Sequence, residues 1–466
     1  MTSTHTRSFR RLAITGAAIA ICLCIVPLAA WAVQTDGWGA QTSGTANDLY
    51  AVQCVGTTAC YAVGEGGTID HSADGSTWAT ETSPTTNILY AISCLDATHC
   101  FASGDRGTIV STGDGSTWAT VNSGTGNTLY GLACVSTTQC WTAGSSGEIR
   151  ETTDGSSFST QSSHTSNTLY GIDCPDSTHC VAVGASRTSV ETSNGTSWAE
   201  HNLATNTTFY GVSCPSTSLC VAVGAGGAIN TSTNLGTSWT SRASGTTNEL
   251  LGVTCESTSV CFATGSSGTI LKSSNGGSNW SSETSPTPSA TLTGTTFPTA
   301  IDGWGAGLGG VINRFDACGG ASLALTVPST ISWAVTLNGA DQTTSTPLVV
   351  TADDESGARA GWNITGTSTT FKNAASKLLP TTATSLTSAS AVAATGNCNT
   401  PANSIVYPVT LPAGTVAPTA VKLYDATSGT GRGPSTVTLN FTIAAPANIY
   451  TGTYSSTWTF SIVSGP

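Results

Sequence analysis

A pair of cysteines with five residues between them recurs six times along this chain. The pairs are Cys54/Cys60, Cys94/Cys100, Cys134/Cys140, Cys174/Cys180, Cys214/Cys220 and Cys255/Cys261; the first five are spaced 40 residues apart and the sixth follows after 41. A fixed period near 40 describes one supersecondary unit copied in series, each copy burying its apolar face only against its neighbours. The cysteines also place the protein in an oxidising compartment. Five intervening residues let two adjacent strands of a hairpin reach bonding distance. A metal site is the rival reading, and it lacks a second pair or a histidine at ligand spacing. His99 and His179 each precede a cysteine, but in alternate copies. No metal and no cofactor is expected.

Each copy divides into four short β-rich runs. In the first they are Leu49-Tyr50-Ala51-Val52-Gln53-Cys54, Cys60-Tyr61-Ala62-Val63-Gly64, Gly67-Thr68-Ile69-Asp70-His71 and Trp78-Ala79-Thr80-Glu81, with Gly, Asp and Ser turns between them. Four strands in about 40 residues describe one propeller blade. Innermost strands start at Leu49, Leu89, Leu129, Leu169, Phe209, Leu250 and Leu292, so seven blades are expected. The seventh copy has Phe297 and Gly303 where the others have cysteines, and it lacks a fourth strand. That strand is found at the front of the chain: Trp38-Gly39-Ala40-Gln41 matches Trp78-Ala79-Thr80-Glu81, and Trp38 and Trp78 both precede the next blade's tyrosine by 12 residues. The expected fold is all-β, a seven-bladed propeller over 33–316 closed by its N-terminal strand, which removes the open edges of a linear array.

The polar turn before each fourth strand resembles the Asp box of sialidase-type propellers, Ser-x-Asp-x-Gly-x-Thr-Trp. Two copies have its full length, Ser232 to Trp239 and Ser273 to Trp280; others, such as Ser72 to Trp78, are one residue shorter, and Asn replaces Asp in several. In that family the box is a folding feature, with side-chain oxygens satisfying turn amides. The Gly-x-x-Gly-Thr-Ile and Asp-Gly-Ser-Thr-Trp runs also resemble the photosystem II assembly-factor type of propeller. That resemblance implies a non-enzymatic scaffold without transferring the photosynthetic role.

The first 32 residues have the form of a secretory signal: Arg7, Arg10 and Arg11, an apolar run from Leu12 to Leu28, and Ala30-Trp31-Ala32 before a cleavage point. An uncleaved anchor is the alternative, and no membrane span is expected after cleavage. Without this segment 11 basic residues face 26 acidic ones, a formal charge of −15. Such a chain lacks the clustered cations that phosphate binding needs, so nucleic acid is excluded as a partner.

From about Cys318 the repeat stops. Residues 317–466 are rich in Thr, Ser, Val and Ala, with alternating runs that read as a β-sandwich. Cys318 and Cys398 are left to pair with each other. Gly361-Trp362-Asn363-Ile364-Thr365 and the terminal Tyr454-Ser455-Ser456-Thr457-Trp458-Thr459-Phe460 resemble the two motifs of the WxL domain of Gram-positive surface proteins, with Ile364 and Phe460 where that family has Leu. The resemblance implies non-covalent attachment to peptidoglycan or another cell-wall polymer. It makes Trp362, Ile364, Tyr454, Trp458 and Phe460 the wall-binding motif, while core packing is the competing role for the tryptophans.

For the propeller, a binding face is read at one end of the ring. Tyr50, Tyr90, Tyr130, Tyr170 and Tyr210 open five inner strands, and the loops between second and third strands vary, carrying Glu65, Asp105, Arg106 and Arg187. A repeated scaffold with variable loops suits recognition of a protein or glycan. A glycoside hydrolase would need two carboxylates about 5–10 Å apart, for which Glu65, Asp105 and Glu249 are the candidates. No insertion breaks the period to build a cleft, and a sialidase's arginine triad and Phe/Tyr-Arg-Ile-Pro start are missing. The expectation is a secreted, wall-associated binding protein rather than an enzyme. Glycoside hydrolase and structural surface-layer component are the alternatives.

Overall fold

The computed structural model describes residues 7–8, 37–317, 323–354, 361–394, 400–428 and 430–465. The N-terminal apolar run, Cys318 and Cys398 lie outside them. The chain divides into a unit spanning Trp38–Asp316 and a second holding Ala317–Pro466 with Met1–Gly37. Among the described residues there is no α-helix; strands and short 3-10 turns make up the regular structure.

The first unit contains seven four-stranded antiparallel sheets. The first is built from Leu49–Val55, Ala59–Gly64, Ile69–Ser72 and Ala79–Thr80, paired in chain order. Its second strand is buried at every position, while its fourth is exposed. This gradient explains why the Cys-Tyr-Ala-Val run is continuously apolar and the Trp-Ala-Thr-Glu run is not. Five further sheets repeat the plan. The seventh takes Leu292–Thr299, Asp302–Gly307 and Val311–Asp316, and its fourth strand is Gly37–Gln41.

Each repeated cysteine pair is bonded across the first hairpin of its sheet: Cys54–Cys60, Cys94–Cys100, Cys134–Cys140, Cys174–Cys180, Cys214–Cys220 and Cys255–Cys261. The pairs are not all placed alike. Cys54 and Cys60 stand directly opposite in the ladder, with Cα atoms 4.0 Å apart, as do Cys94 and Cys100, Cys134 and Cys140, and Cys255 and Cys261. In the fourth and fifth sheets the regular register stops one residue earlier, at Asp173 opposite Val181 and at Ser213 opposite Val221. The residue after the first cysteine explains the difference. In the second, third and sixth sheets it donates across the turn, as Leu95 N does to His99 O at 2.9 Å. Pro175 and Pro215 have no N–H to donate. The Cys174–Cys180 and Cys214–Cys220 bonds hold their Cα atoms 4.1 Å apart without that ladder bond.

The polar turns work as small caps. Asp74 Oδ1 accepts the amides of Ser76 (2.8 Å) and Thr77 (2.7 Å) and the Ser72 hydroxyl (3.1 Å). The Thr77 amide above all holds this carboxyl well below the usual range. In the fourth sheet Asn194 Oδ1 accepts the corresponding amides of Thr196 and Ser197 as a neutral group.

The following tryptophan reaches the preceding sheet. Trp118 Nε1 donates to Glu81 (2.7 Å) and Trp198 Nε1 to Gln161 (2.7 Å), each 37 residues back. Trp78 Nε1 donates over the same interval to Gln41 (2.9 Å), on the N-terminal strand of the seventh sheet. First strands also approach closely from sheet to sheet. A Cβ on Gly171 would lie 2.9 Å from Tyr210 O, and one on Gly294 3.0 Å from Ala51 Cα. The succession of contacts therefore returns from the seventh sheet to the first.

In the second unit two sheets share one core. Trp362–Thr369 pairs with Val421–Ala426 and Trp458–Ser464. The other sheet runs Leu323–Thr326, Gln342–Asp354, Gly433–Ala445, Thr384–Ala393, Val409–Thr410. Alternate residues of Gly433–Ala445 (Val437, Leu439, Phe441, Ile443) face inward onto Trp458, Phe460 and Ile462. This is the period-2 pattern of a half-buried strand.

Candidate functional site

Every first strand in the first unit carries a β-bulge at its second residue. In the first sheet the register steps from Leu49 to Ala51, in the second from Leu89 to Ala91, and so on through Leu292 to Gly294. The bulged residue has no ladder partner and its side chain is re-aimed. It is Tyr50, Tyr90, Tyr130, Tyr170 and Tyr210 in five sheets, Leu251 in the sixth and Thr293 in the seventh. Glycine follows three of the tyrosines, and a Cβ on Gly131, Gly171 or Gly211 would come within 3.1 Å of the next sheet's backbone.

The five rings form one continuous arc. Successive centroids lie 5.2, 5.1, 5.2 and 5.6 Å apart, with planes inclined by 50–62°. This is the tilted geometry aromatic quadrupoles favour. Each ring is half-buried. The Tyr130 hydroxyl lies against Thr128, which donates to Asp105 Oδ1 at 2.7 Å. The hydroxyls of Tyr50, Tyr90, Tyr170 and Tyr210 meet no hydrogen-bond partner among the described residues.

Carboxylates border this arc. Asp48 and Glu65 act on Tyr50, Asp105 on Tyr90 and Tyr130, and Glu249 on Tyr210. Burial first, and these charges second, push the phenols of Tyr50, Tyr90 and Tyr210 above their ordinary pKa, so they remain neutral donors at physiological pH. Backbone bonds lock the rim. Glu65 N donates to Asp48 O (2.8 Å), and Asp105 N to Ile88 O (2.8 Å).

The expected site residues divide accordingly. The tyrosines, Glu65 and Asp105 come together. Arg106 sits on the same loop as Asp105, 3.9 Å from its carboxylate, with its side chain 80% exposed. Arg187 does not join them: its Nε donates to Asn202 on the outermost strand of its sheet. It occupies a position held by glycine in neighbouring copies, with φ of 58°. The cysteines stay apart from the arc, at the opposite end of the same inner strands. The second of each pair (Cys60, Cys100, Cys140, Cys180, Cys220 and Cys261) is wholly buried, so these residues serve as core staples and contact no ligand. The Trp362, Ile364, Tyr454, Trp458 and Phe460 side chains are all core, exposed by 2% or less. Trp362 stacks on Tyr424 and donates to Gly431 O at 2.8 Å. A wall polymer cannot touch these five side chains; their role is packing, and any contact surface must be built from their neighbours. No three His, Cys, Asp or Glu side chains converge as a metal site among the described residues.

Sequence reasoning missed a second set of contacts, made from five of the seven sheets. The residue before the first cysteine reaches the cysteine amide of the next sheet: Gln53 accepts from Cys94 N, Ser93 from Cys134 N, Asp173 from Cys214 N, Ser213 from Cys255 N and Thr296 from Cys54 N. The only trace in the sequence is that these positions favour polar residues inside otherwise apolar strands.

No protein-family model and no curated protein matches the chain. Solved structures do. YCF48 bound to a D1 peptide matches with a TM-score of 0.52 and 16% identity, over 62% of this chain and 99% of that one. A streptogramin B lyase matches at 0.54 and 14%, over 60% and 97%. The WD40 β-propeller domain of Doa1 matches at 0.50 and 14%, over 60% and 97%. The repeated four-stranded sheets are those of a β-propeller. At these identities the likeness concerns the fold alone.

Proposed function

We propose that this chain is a secreted binding protein of a Gram-positive cell surface. Its propeller has seven blades closed by the N-terminal strand and recognises a protein or glycan. Its C-terminal unit is a WxL-like β-sandwich that attaches non-covalently to the wall. Six disulfides support the oxidising address. The observation that carries the binding role is the tyrosine arc: five adjoining rings, four hydroxyls without partners, and carboxylates beside them. Tyrosine supplies large amphipathic contact area with little conformational entropy to lose. Peptide binding by YCF48 agrees with such a use of the fold.

A glycan array and a surface pull-down with the mature protein identify the ligand. The Tyr90→Phe/Tyr170→Phe double variant keeps the rings and removes two unpartnered hydroxyls. It should retain its unfolding midpoint and bind at least about tenfold more weakly, on the order of one lost hydrogen bond each. Unchanged binding would remove the arc from the contact surface. The rival hydrolase reading rests on Glu65 and Asp105 sharing the rim. It predicts turnover of a polysaccharide that disappears in Glu65→Gln or Asp105→Asn.

A further inference from the structure

The wall-binding reading leaves open which surface of the C-terminal unit makes contact, since its motif aromatics are buried. The geometry points to a saccharide site in a cavity of 550 Å³ beside the second motif, with a preference for sugars bearing a carboxylate. This inference rests on the attachment reading and names the site for it.

The cavity lies where three pieces of backbone meet. Thr369 pairs with Gly414 in parallel, Thr369 N donates to Thr457 O (2.8 Å), and Lys372 stands opposite Ser455 in a short two-stranded pair. Tyr454 and Trp458 point into the core, and the residues between them, Ser455, Ser456 and Thr457, line the cavity. The hydroxyls of Thr369 and Ser456 are committed to the scaffold: Ser456 Oγ donates to Thr369 O, and Thr369 Oγ1 accepts from Thr457 N. The hydroxyls of Thr370, Ser376, Thr415, Ser455 and Thr457 also line the cavity and meet no partner among the described residues. Thr370 is the most enclosed of these residues, 8% exposed, and its hydroxyl stays open to solvent, as a ligand-binding hydroxyl must.

The lining is preformed. The Asn373 side chain accepts from Lys377 N (2.8 Å) and its carbonyl from Ser376 N (3.0 Å), closing the turn that carries Ser376 and Leu378. Hydroxyls that both donate and accept match a polyol better than a phosphate or an apolar ligand. Leu378, 52% exposed, offers an apolar face to a sugar ring. The single charged lining residue is Lys372, which meets no carboxylate among the described residues. Its ammonium suits an acidic sugar as a point charge. The volume falls within the roughly 300–1,000 Å³ that ligand sites span.

The test uses the full mature chain, with an oligogalacturonate and the neutral, fully N-acetylated chitotetraose as probes in calorimetry and saturation-transfer NMR. The oligogalacturonate should bind saturably, with affinity falling as salt rises. Thr370→Val, which keeps shape, and Lys372→Gln, which is exposed and cannot unfold the core, should each weaken it by about tenfold. Chitotetraose should bind more weakly than the uronate and be insensitive to Lys372→Gln. No saturable binding of either probe, or equal binding in both variants and the parent, overturns the site. Co-sedimentation with purified peptidoglycan is measured in parallel. If the parent and both variants sediment equally, attachment stands and this site falls. If the uronate binds with the expected losses but nothing sediments, the site stands and the attachment reading falls.

Discussion

In the first sheet the far end of the innermost hairpin is closed by the Cys54–Cys60 bond; in the seventh the same two positions hold Phe297 and Gly303. The Phe297 ring lies over Gly303 so closely that a Cβ there would come within 2.3 Å of it. The ring stacks on Phe262 of the sixth sheet at 3.6 Å, with planes 2° apart. Trp38 and Phe315 complete the cluster at 5.7 and 5.5 Å from Phe297. Lys272 Nζ sits 5.2–5.5 Å from the Phe315 and Phe262 ring centres. The buried Arg314 lies between Asp302 and Asp316, 3.3 Å from each. A disulfide acts chiefly by restricting the unfolded chain within one hairpin. The aromatic cluster acts on the folded state and draws together residues from both ends of the repeat region. The seventh sheet is the one whose strands come from distant parts of the sequence, so a local staple would leave its N-terminal strand unattached. Packing on Trp38 holds that strand.

This contrast can be broken experimentally. The largest effect is expected for Phe297→Ala, about 3–5 kcal/mol for a buried aromatic. It should appear as a lower denaturation midpoint with all six disulfides intact; a loss no greater than that of a single staple would erase the distinction. Replacing Cys94 and Cys100 together by alanine should cost about 2 kcal/mol for so short a loop, and leave the Phe297 cluster's contribution additive to it. Limited proteolysis of the oxidised protein should cut first between Trp280 and Phe315, and cleavage should spread to other sheets after reduction. Even cleavage before reduction would show that the seventh sheet is as firm as the rest.

A finer contrast concerns the position before the first cysteine, where the fourth sheet has Asp173 and the seventh Thr296. Burial pushes the Asp173 carboxyl up to about 6 from 3.8, although the amides of Cys214 and Cys174 oppose it. Its contribution to stability is therefore complete below about pH 4 and is lost as pH rises through 6. Asp173→Ser, which copies Ser93 and Ser213, should flatten the stability profile between those values; an unchanged slope would assign it to other groups. The smallest effect is expected in the Asp boxes. Amides of Thr117 and Ser116 hold Asp114 below its ordinary range, so its contribution is present above about pH 4 and lost in acid. Asp114→Asn, the residue nature uses at Asn194, should leave the midpoint at pH 7 unchanged and lessen the acid loss.

Much of the propeller could be read in the sequence because its signals are local and repeated. The hairpin placement of Cys54 and Cys60, the turn at Asp74 and the start of each inner strand all lie within one 40-residue copy. The strand exchange was legible too, since Trp38 stands 12 residues before Tyr50 as Trp78 does before Tyr90. The bulge under each tyrosine was not read, although it leaves a mark: Leu49 and Val52 are buried three residues apart where Val52 and Cys54 keep the strand's spacing of two. The bonds from Gln53 to Cys94 and from Thr296 to Cys54 span 41 and 242 residues, and no pattern within a single copy encodes such a partner. In the C-terminal unit the motif tryptophans drew attention to themselves. The cavity depended on Thr370, Ser455 and Thr457, whose hydroxyls look like those of many neighbours until the backbone brings them together.

The sequence by itself determined the number of copies, their four-strand plan, the cysteine pairing within each copy and the donation of the first strand to the last sheet, because period, turn chemistry and spacing act over short stretches of chain. Only the tertiary structure decided which faces meet. It turned five tyrosines into one arc, buried Trp362, Trp458 and their neighbouring aromatics in a core and replaced the seventh staple by an aromatic cluster. Those outcomes follow from close packing between segments far apart in the chain, where a side chain's role is set by what lies across from it.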